Sequence, residues 1–359
     1  MGLISLIGII VGMVVFIWLA FKSFNLQLTA LIASVVMLLF AGLGASGIYE
    51  GVFTTWVGGV AGALKAYMFI FCFGAIFGKV LADGGATRKI AYTLADGIRK
   101  IKNPQLRRLF AAFFVPLLYI ILSYVGISGF VIVFTALGIG YELYKEMDIP
   151  WRLYCMGGAS CSATVFVGGS IHAGNIAAAK ITGTNDIAAA MGISLVCFIL
   201  YVIVFLLMLN RELKVAEKNG EGFMLTGAEF DKTGMTAGSK ENLPNIILSI
   251  IPMILVIVLC AVFKVSTAMS LLIGIVVSII LLWKNLNRGN ASVIKSLHEG
   301  MVGSFAPLMS VCCTVAMGTV IKTLPGFTFL SEIMNNLSPL VAGTALASVL
   351  TFVMASATS

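Results

Sequence analysis

Residues 107–144 read RRLFAAFFVPLLYIILSYVGISGFVIVFTALGIGYELY, an apolar stretch broken once, at Ser123-Tyr124-Val125-Gly126-Ile127-Ser128-Gly129. As one straight helix it would extend about 57 Å at 1.5 Å per residue, too far for a single crossing of a ~30 Å hydrocarbon layer. Each arm beside the break holds about 15 apolar residues, short of the ~20 that a full span needs. The pattern predicts a re-entrant helical hairpin with its tip at 123–129. Two short tilted spans are the alternative.

Long apolar runs lie on either side, at 3–21, 26–44, 58–82, 151–179 (interrupted), 187–209, 244–263, 267–283 and 303–322. The chain of 359 residues is 60% hydrophobic and 11% charged, against the roughly 25% charge of a soluble domain. Too few charges remain to cover a water-facing surface. Backbone that faces lipid must satisfy its own hydrogen bonds, so the runs are expected to be helices. The fold class is an all-α polytopic membrane protein. Leu3 to Phe21 has no basic segment before it and no small-residue cleavage site after it, so it reads as a retained span rather than a signal peptide.

The net charge of +8 would suggest nucleic acid in a soluble protein. Here the cations sit at span ends, where the positive-inside rule accounts for them and no nucleic-acid partner is implied. With Lys22 inside and 107–144 returning to its own side, 19 Lys and Arg fall inside. Only Lys65, Lys180, Lys264 and Lys322 fall outside. Lys79, about one turn from the end of its span, is expected to snorkel to the interface. The basic amphipathic segment from Ala86 to Lys100 reads as a surface helix against anionic headgroups.

The polar segment 210–243 divides the chain and reads as a cytoplasmic linker. On either side the elements recur in one order: three spans, an amphipathic segment (325–336 in the second half), then an apolar run. Gly78-Lys79-Val80-Leu81 aligns with Gly318-Thr319-Val320-Ile321, and Gly85-Ala86 with Pro325-Gly326. The topology count starts the two halves on opposite sides, which is the inverted-repeat plan of secondary transporters. The expected domains are a first repeat at 1–209, the linker at 210–243 and a second repeat at 244–359. In the order of elements the tip of the first hairpin corresponds to 354–359. The second repeat then reads as incomplete at a hairpin tip, short of the first by about 80 residues, as a partial chain would be.

A second polar break occurs at Val167-Gly168-Gly169-Ser170-Ile171-His172-Ala173-Gly174-Asn175. Non-helical backbone at membrane depth is tolerated where it is buried or lines a watery cavity. A helix starting after such a break aims unsatisfied N–H groups at the gap, which suits a carboxylate. Glycine lets backbone approach a ligand closely, and Ser and Asn add donors without a buried charge. The expected substrate site takes Ser123, Gly126, Ser128 and Gly129 from the first break. The second break gives Gly169, Ser170, His172, Gly174 and Asn175, and the second half gives Ser356 and Thr358. Close helix packing is the other reading of these glycines.

His172 is the one histidine in an apolar region, a candidate for proton relay or substrate hydrogen bonding, or else a structural histidine bonded to a carbonyl. No catalytic triad, cofactor motif or metal-ligand spacing is present in the sequence. The seven cysteines lie in apolar runs without a C-x-x-C pair and read as small buried hydrophobes. An intramembrane enzyme using His172 with Ser170 or Cys161 is the alternative to transport, but no acid is placed to orient the histidine.

The stretch Cys72-Phe73-Gly74-Ala75-Ile76-Phe77-Gly78-Lys79-Val80-Leu81-Ala82-Asp83-Gly84-Gly85-Ala86, continuing to Ile90-Ala91, resembles the gluconate permease family of the ion transporter superfamily. Asp148-Ile149-Pro150 through Tyr154 is similar to a later stretch of that family. Its P-P-H-P-G-P signature corresponds to Ser170-Ile171-His172-Ala173-Gly174-Asn175, with His172 and Gly174 kept and every proline absent. Its acidic tip E-V-G-F corresponds to Ile127-Ser128-Gly129-Phe130, without the carboxylate. These departures bear on substrate and coupling ion rather than on fold. The resemblance implies proton symport of gluconate or a related hydroxy acid across the bacterial inner membrane by a homodimer with paired hairpins. Sodium-coupled carboxylate transport is the alternative.

Overall fold

The computed structural model describes residues 2–22, 24–124, 129–154, 156, 191–224, 243–261, 263, 265–286 and 292–335. Among them all regular structure is helical. The helices are α1 (Gly2–Phe21), α2 (Leu26–Phe40), α3 (Gly44–Asp83), α4 (Ala86–Arg99), α5 (Pro104–Tyr124), α6 (Gly129–Glu146), α7 (Met191–Lys218), α8 (Ile246–Ala261), α9 (Thr267–Leu286), α10 (Val293–Thr323) and α11 (Pro325–Asn335). α3 contains one π-helical stretch, Gly51–Trp56. Among the described residues six helices are long and apolar enough to cross a membrane: α1, α3, α5, α7, α9 and α10. The protein is an all-α polytopic membrane protein.

Each expected span outside 107–179 overlaps a helix, although α2 stops at Phe40 rather than 44 and α3 begins at Gly44 rather than 58. α7 runs on through residues 210–218, assigned above to the linker. That stretch, NRELKVAEK, is rich in helix formers, and Leu209, Leu213 and Ala216 recur at helical spacing and are buried. α10 begins at Val293 rather than 303, because Lys295, His298 and Glu299 interrupt the apolar pattern without interrupting the helix. α5 and α6 have 21 and 18 residues, more than the apolar arms, because polar residues at both outer ends are wound into them; α5 is thereby long enough to cross a membrane, contrary to the expectation that both arms fall short. Residues 157–179 of the interrupted span, 225–242 of the linker and the chain after Asn335 lie outside the described residues.

Helix boundaries repeat with one spacing. Gly78 and Gly318, the pair that aligned the two halves, are 240 residues apart. At that offset the end of α1 (Phe21) meets the end of α8 (Ala261), and the end of α3 (Asp83) meets the end of α10 (Thr323). The starts of α2 (Leu26) and α9 (Thr267), and of α4 (Ala86) and α11 (Pro325), match within one residue. Packing repeats as well: α1 packs on α2 and α11, and α8 packs on α9 and α4, the counterparts in the same roles. Each amphipathic helix thus docks on the first span of the other half.

By contacts the chain divides into two compact units, residues 1–68 with 305–359, and residues 69–304. The first has a core of Ile9, Met13, Ala33, Met37, Met317, Val320 and Ile321. Its α1–α2 contact is close because Gly8 and Gly12 lie against Phe40 and Met37, where an added Cβ would come within 2.2 and 2.4 Å. Asn25 caps α2, its side-chain oxygen accepting from Gln27 N (3.0 Å) and Leu28 N (3.2 Å). The second unit centres on Phe77, Leu81, Val115, Tyr119, Tyr141, Tyr144 and Leu282.

Candidate functional site

The break that decided the sequence reading is bracketed by structure: α5 ends at Tyr124 and α6 starts at Gly129. The two helices form an antiparallel hairpin. The Arg108 guanidinium donates to Asp148 O at 3.0 Å, and the Tyr144 hydroxyl to Ala112 O at 2.9 Å. A Cβ on Gly140 would lie 2.9 Å from Val115 Cγ2. Each of these pairs is centred on residue 127 or 128, so the arms converge on the tip.

The base of the hairpin is pinned by its outer residues. Asp148 ends α6 with φ of 48°, a left-handed helix terminus, and its carboxylate accepts from Phe223 N at 2.9 Å. Trp151 stacks on Tyr154 at 4.4 Å, and the Tyr154 ring fills the space that a Gly140 side chain would need. The Asp148–Tyr154 segment is thereby the anchor of the hairpin. Arg152 donates to Glu212 (2.8 Å) and Glu221 (2.7 Å), tying that anchor to the end of α7. Hydrogen bonds from Arg152 and then Asn219 hold the Glu221 carboxyl below its ordinary range, and the hydrogen bonds Arg152 donates to Glu212 and Glu221 push Arg152 up.

α4 lies along α6 in the same direction, with Thr87 against Gly138 at one end and Arg99 paired with Glu146 at the other. Its apolar stripe of Ala86, Thr87, Ile90, Ala91 and Ala95 is buried on protein, which corrects the expectation that this face rests on headgroups. The stripe is made of small residues, and close helix contact follows from that. Beside it Glu142 is buried on α6, a carboxylate the sequence reading missed. Its spacing of one turn from Gly138, on the face that meets α4, was the available signal. Burial, then the charges of Glu142 and Glu146, push the Tyr92 hydroxyl up.

Of the expected substrate residues, Ser123 is the penultimate residue of α5 and Gly129 opens α6. Gly126, Ser128, Gly169, Ser170, His172, Gly174, Asn175, Ser356 and Thr358 lie outside the described residues. The described structure therefore supplies the frame of the first break and leaves its meeting with the second as an expectation. Among the described residues no group of three or more His, Cys, Asp or Glu is arranged to hold a metal ion.

A second charged centre lies where α3 meets α10. Lys79 Nζ is 2.9 Å from Glu299 Oε2 and 3.2 Å from Asp83 Oδ1, and the Ser296 hydroxyl donates to Asp83 Oδ2 at 2.7 Å. The Lys79 side chain is 14% exposed. Its charge is held between two carboxylates on different helices. Gly300 permits this contact, since a Cβ there would lie 2.7 Å from Ile76 Cα. In the other unit Gly59 meets Ala316 in the same way, at 2.8 Å from its Cα. At the 240-residue offset, Gly59–Ala316 maps to 299 and Ile76, one residue from the observed Gly300–Ile76. At that offset Thr319 and Gly59 stand in the places of Lys79 and Glu299, so the ion pair has no counterpart there.

The chain is 26% identical over 326 residues to a Bacillus subtilis protein described as an uncharacterized transporter, YxjC. The match covers 79% of this chain and 66% of that protein, so the chain spans just under two thirds of the relative. No protein-family model matches, and no solved structure matches.

Proposed function

We propose that the chain is a secondary active transporter of a small organic anion, a proton-coupled symporter of gluconate or a related hydroxy acid in a bacterial inner membrane. The observation that carries the reading is the recurrence of helix boundaries at a 240-residue offset, with each amphipathic helix docked on the first span of the other half. Exchange of that kind is the plan of an inverted repeat, and inverted repeats place substrate near the midplane between discontinuous helices. The similarity to a transporter of Bacillus subtilis supports the class.

In this reading the α5–α6 hairpin is re-entrant and its tip meets the break at 168–175. The N-terminus of α6 and the donors Ser128, Ser170 and Asn175 hold the substrate carboxylate, with Ser356 and Thr358 from the second repeat. Neutral donors and a helix N-terminus bind an anion without stranding a cation in the empty site. His172 contacts the substrate or the coupling proton, and the functional unit is a homodimer. Uptake of labelled gluconate and glycerate into proteoliposomes tests the proposal. Accumulation driven by an inward proton gradient is expected. Accumulation under a sodium gradient alone replaces the coupling ion, and no uptake under either gradient overturns the transport reading.

A further inference from the structure

The last three turns of α7 carry a surface that transport does not explain. Upstream, α7 presents a long exposed apolar stripe that includes Ile193 (76% exposed), Val196, Leu200, Val204 and Leu207 (63%). Directly below Leu207 on the same side come Arg211, Lys214 and Lys218, at the spacing of successive helical turns. With Asn210 and Val215 they line a cavity of about 360 Å³. Arg211, Lys214 and Lys218 have no ion-pair partner among the described residues. The neighbouring Glu212 is engaged by Arg152, and Glu217 lies off the lining. The opposite side of these turns is buried through Leu209, Leu213 and Ala216, so the cations are fixed outward.

A second cationic recess lies in the same unit. The Gln105 side chain donates to Asn210 Oδ1 at 3.1 Å, joining the start of α5 to this part of α7. Just beyond Gln105, Arg107 and Arg108 line a cavity of about 500 Å³ with Arg99. There Arg99 is paired with Glu146 and Arg108 is bonded to Asp148, whereas no carboxylate lines the α7 cavity among the described residues. The α7 recess is therefore the stronger anion site.

We infer that the recess formed by Asn210, Arg211, Lys214 and Lys218 binds the headgroup of an anionic phospholipid, whose acyl chains lie on the apolar stripe above it. The order along the helix matches the order within the lipid: hydrocarbon against Leu200, Val204 and Leu207, phosphate against Asn210 and Arg211, further negative charge against Lys214 and Lys218. A soluble anion has no use for the apolar stripe, and a zwitterionic lipid leaves the lower cations uncompensated. Juxtamembrane cations each strengthen binding of anionic lipid about 5-fold, so three together contribute on the order of 100-fold.

The test uses the full chain in mixed micelles of phosphatidylglycerol and phosphatidylcholine, with retained lipid counted by native mass spectrometry. The intact protein is expected to keep phosphatidylglycerol selectively. The R211Q/K214Q/K218Q variant is expected to lose on the order of 100-fold in that selectivity, and the charge-preserving R211K/K214R/K218R variant to keep it. All six substitutions lie on an exposed face, and an unchanged melting temperature verifies the fold. Equal retention of both lipids, unchanged retention in the glutamine variant, or full displacement by inorganic phosphate at constant ionic strength would each overturn the inference. The last outcome would identify a soluble-anion site instead.

Discussion

Lys79 Nζ lies 2.9 Å from Glu299 Oε2, an ion pair between residues 220 positions apart that joins the third span of one sequence half to that of the other. Asp83 completes the cluster from below, one helical turn along α3. An unpaired charge at such a position is costly, and here it is neutralised by two acids rather than by solvent. The helix crossing at the 240-residue offset carries Thr319 and Gly59, with no charge.

Removing the lysine leaves Asp83 and Glu299 facing each other. K79Q is expected to lower stability by about 1–3 kcal/mol, and E299Q by less, since Glu299 is 41% exposed. A double-mutant cycle of K79Q and E299Q on thermal unfolding in detergent should return a coupling of about 1 kcal/mol. Additive effects would mean that the pair contributes nothing.

The glycine at the crossing is a sharper test of packing. A Cβ on Gly300 meets Ile76 backbone at 2.7 Å, and backbone cannot swing aside. G300A is expected to cost about 1–3 kcal/mol, while G303A, with no atom of the described residues within 4 Å of its Cβ, is tolerated. Comparison of melting temperatures checks this, and equal effects of the two substitutions would contradict the close approach.

The hairpin base predicts a third effect. The Tyr154 ring is held by stacking on Trp151 and edge contact with Tyr144, so it cannot make room at Gly140. G140V is expected to destabilise by about 2 kcal/mol. Y144F, which removes one hydrogen bond to Ala112 O, is expected to cost about 1 kcal/mol. Thermal unfolding of both variants provides the check.

Much of the architecture was legible because span length and apolar composition are local properties. The recurrence of helix boundaries was legible from Gly78 and Gly318, because their offset also carries the ends of α1, α3, α8 and α10. The partner of Lys79 was not legible, since Glu299 is far away in sequence and only the crossing at Gly300 brings it near. Nor was the role of Asp148, whose left-handed backbone and bond to Phe223 depend on where the chain returns after α7. The end of α7 was missed because hydropathy falls there while helical periodicity continues. The site itself was read from breaks at Ser123–Gly129 and Gly169–Asn175, of which the structure frames the first.

The anchor of the hairpin should respond to acid. Hydrogen bonding to Arg152 depresses the Glu221 carboxyl, so its folded value lies below its unfolded one. The stability this contributes is present above the ordinary carboxyl range and is lost as pH falls through the depressed value. The melting temperatures of the native protein and E221Q are expected to differ at neutral pH and to converge in acid. A difference that persists unchanged into acid would contradict the assignment.

The most direct test of the central claim measures whether the two breaks share one anion. Single cysteines replace Ser128 and Ser170 in a cysteine-free background, and their modification by a thiol reagent is timed in proteoliposomes with and without gluconate. Substrate is expected to slow modification at both positions, with a half-effect at one common concentration. Unchanged rates at either position, while uptake persists, would contradict it.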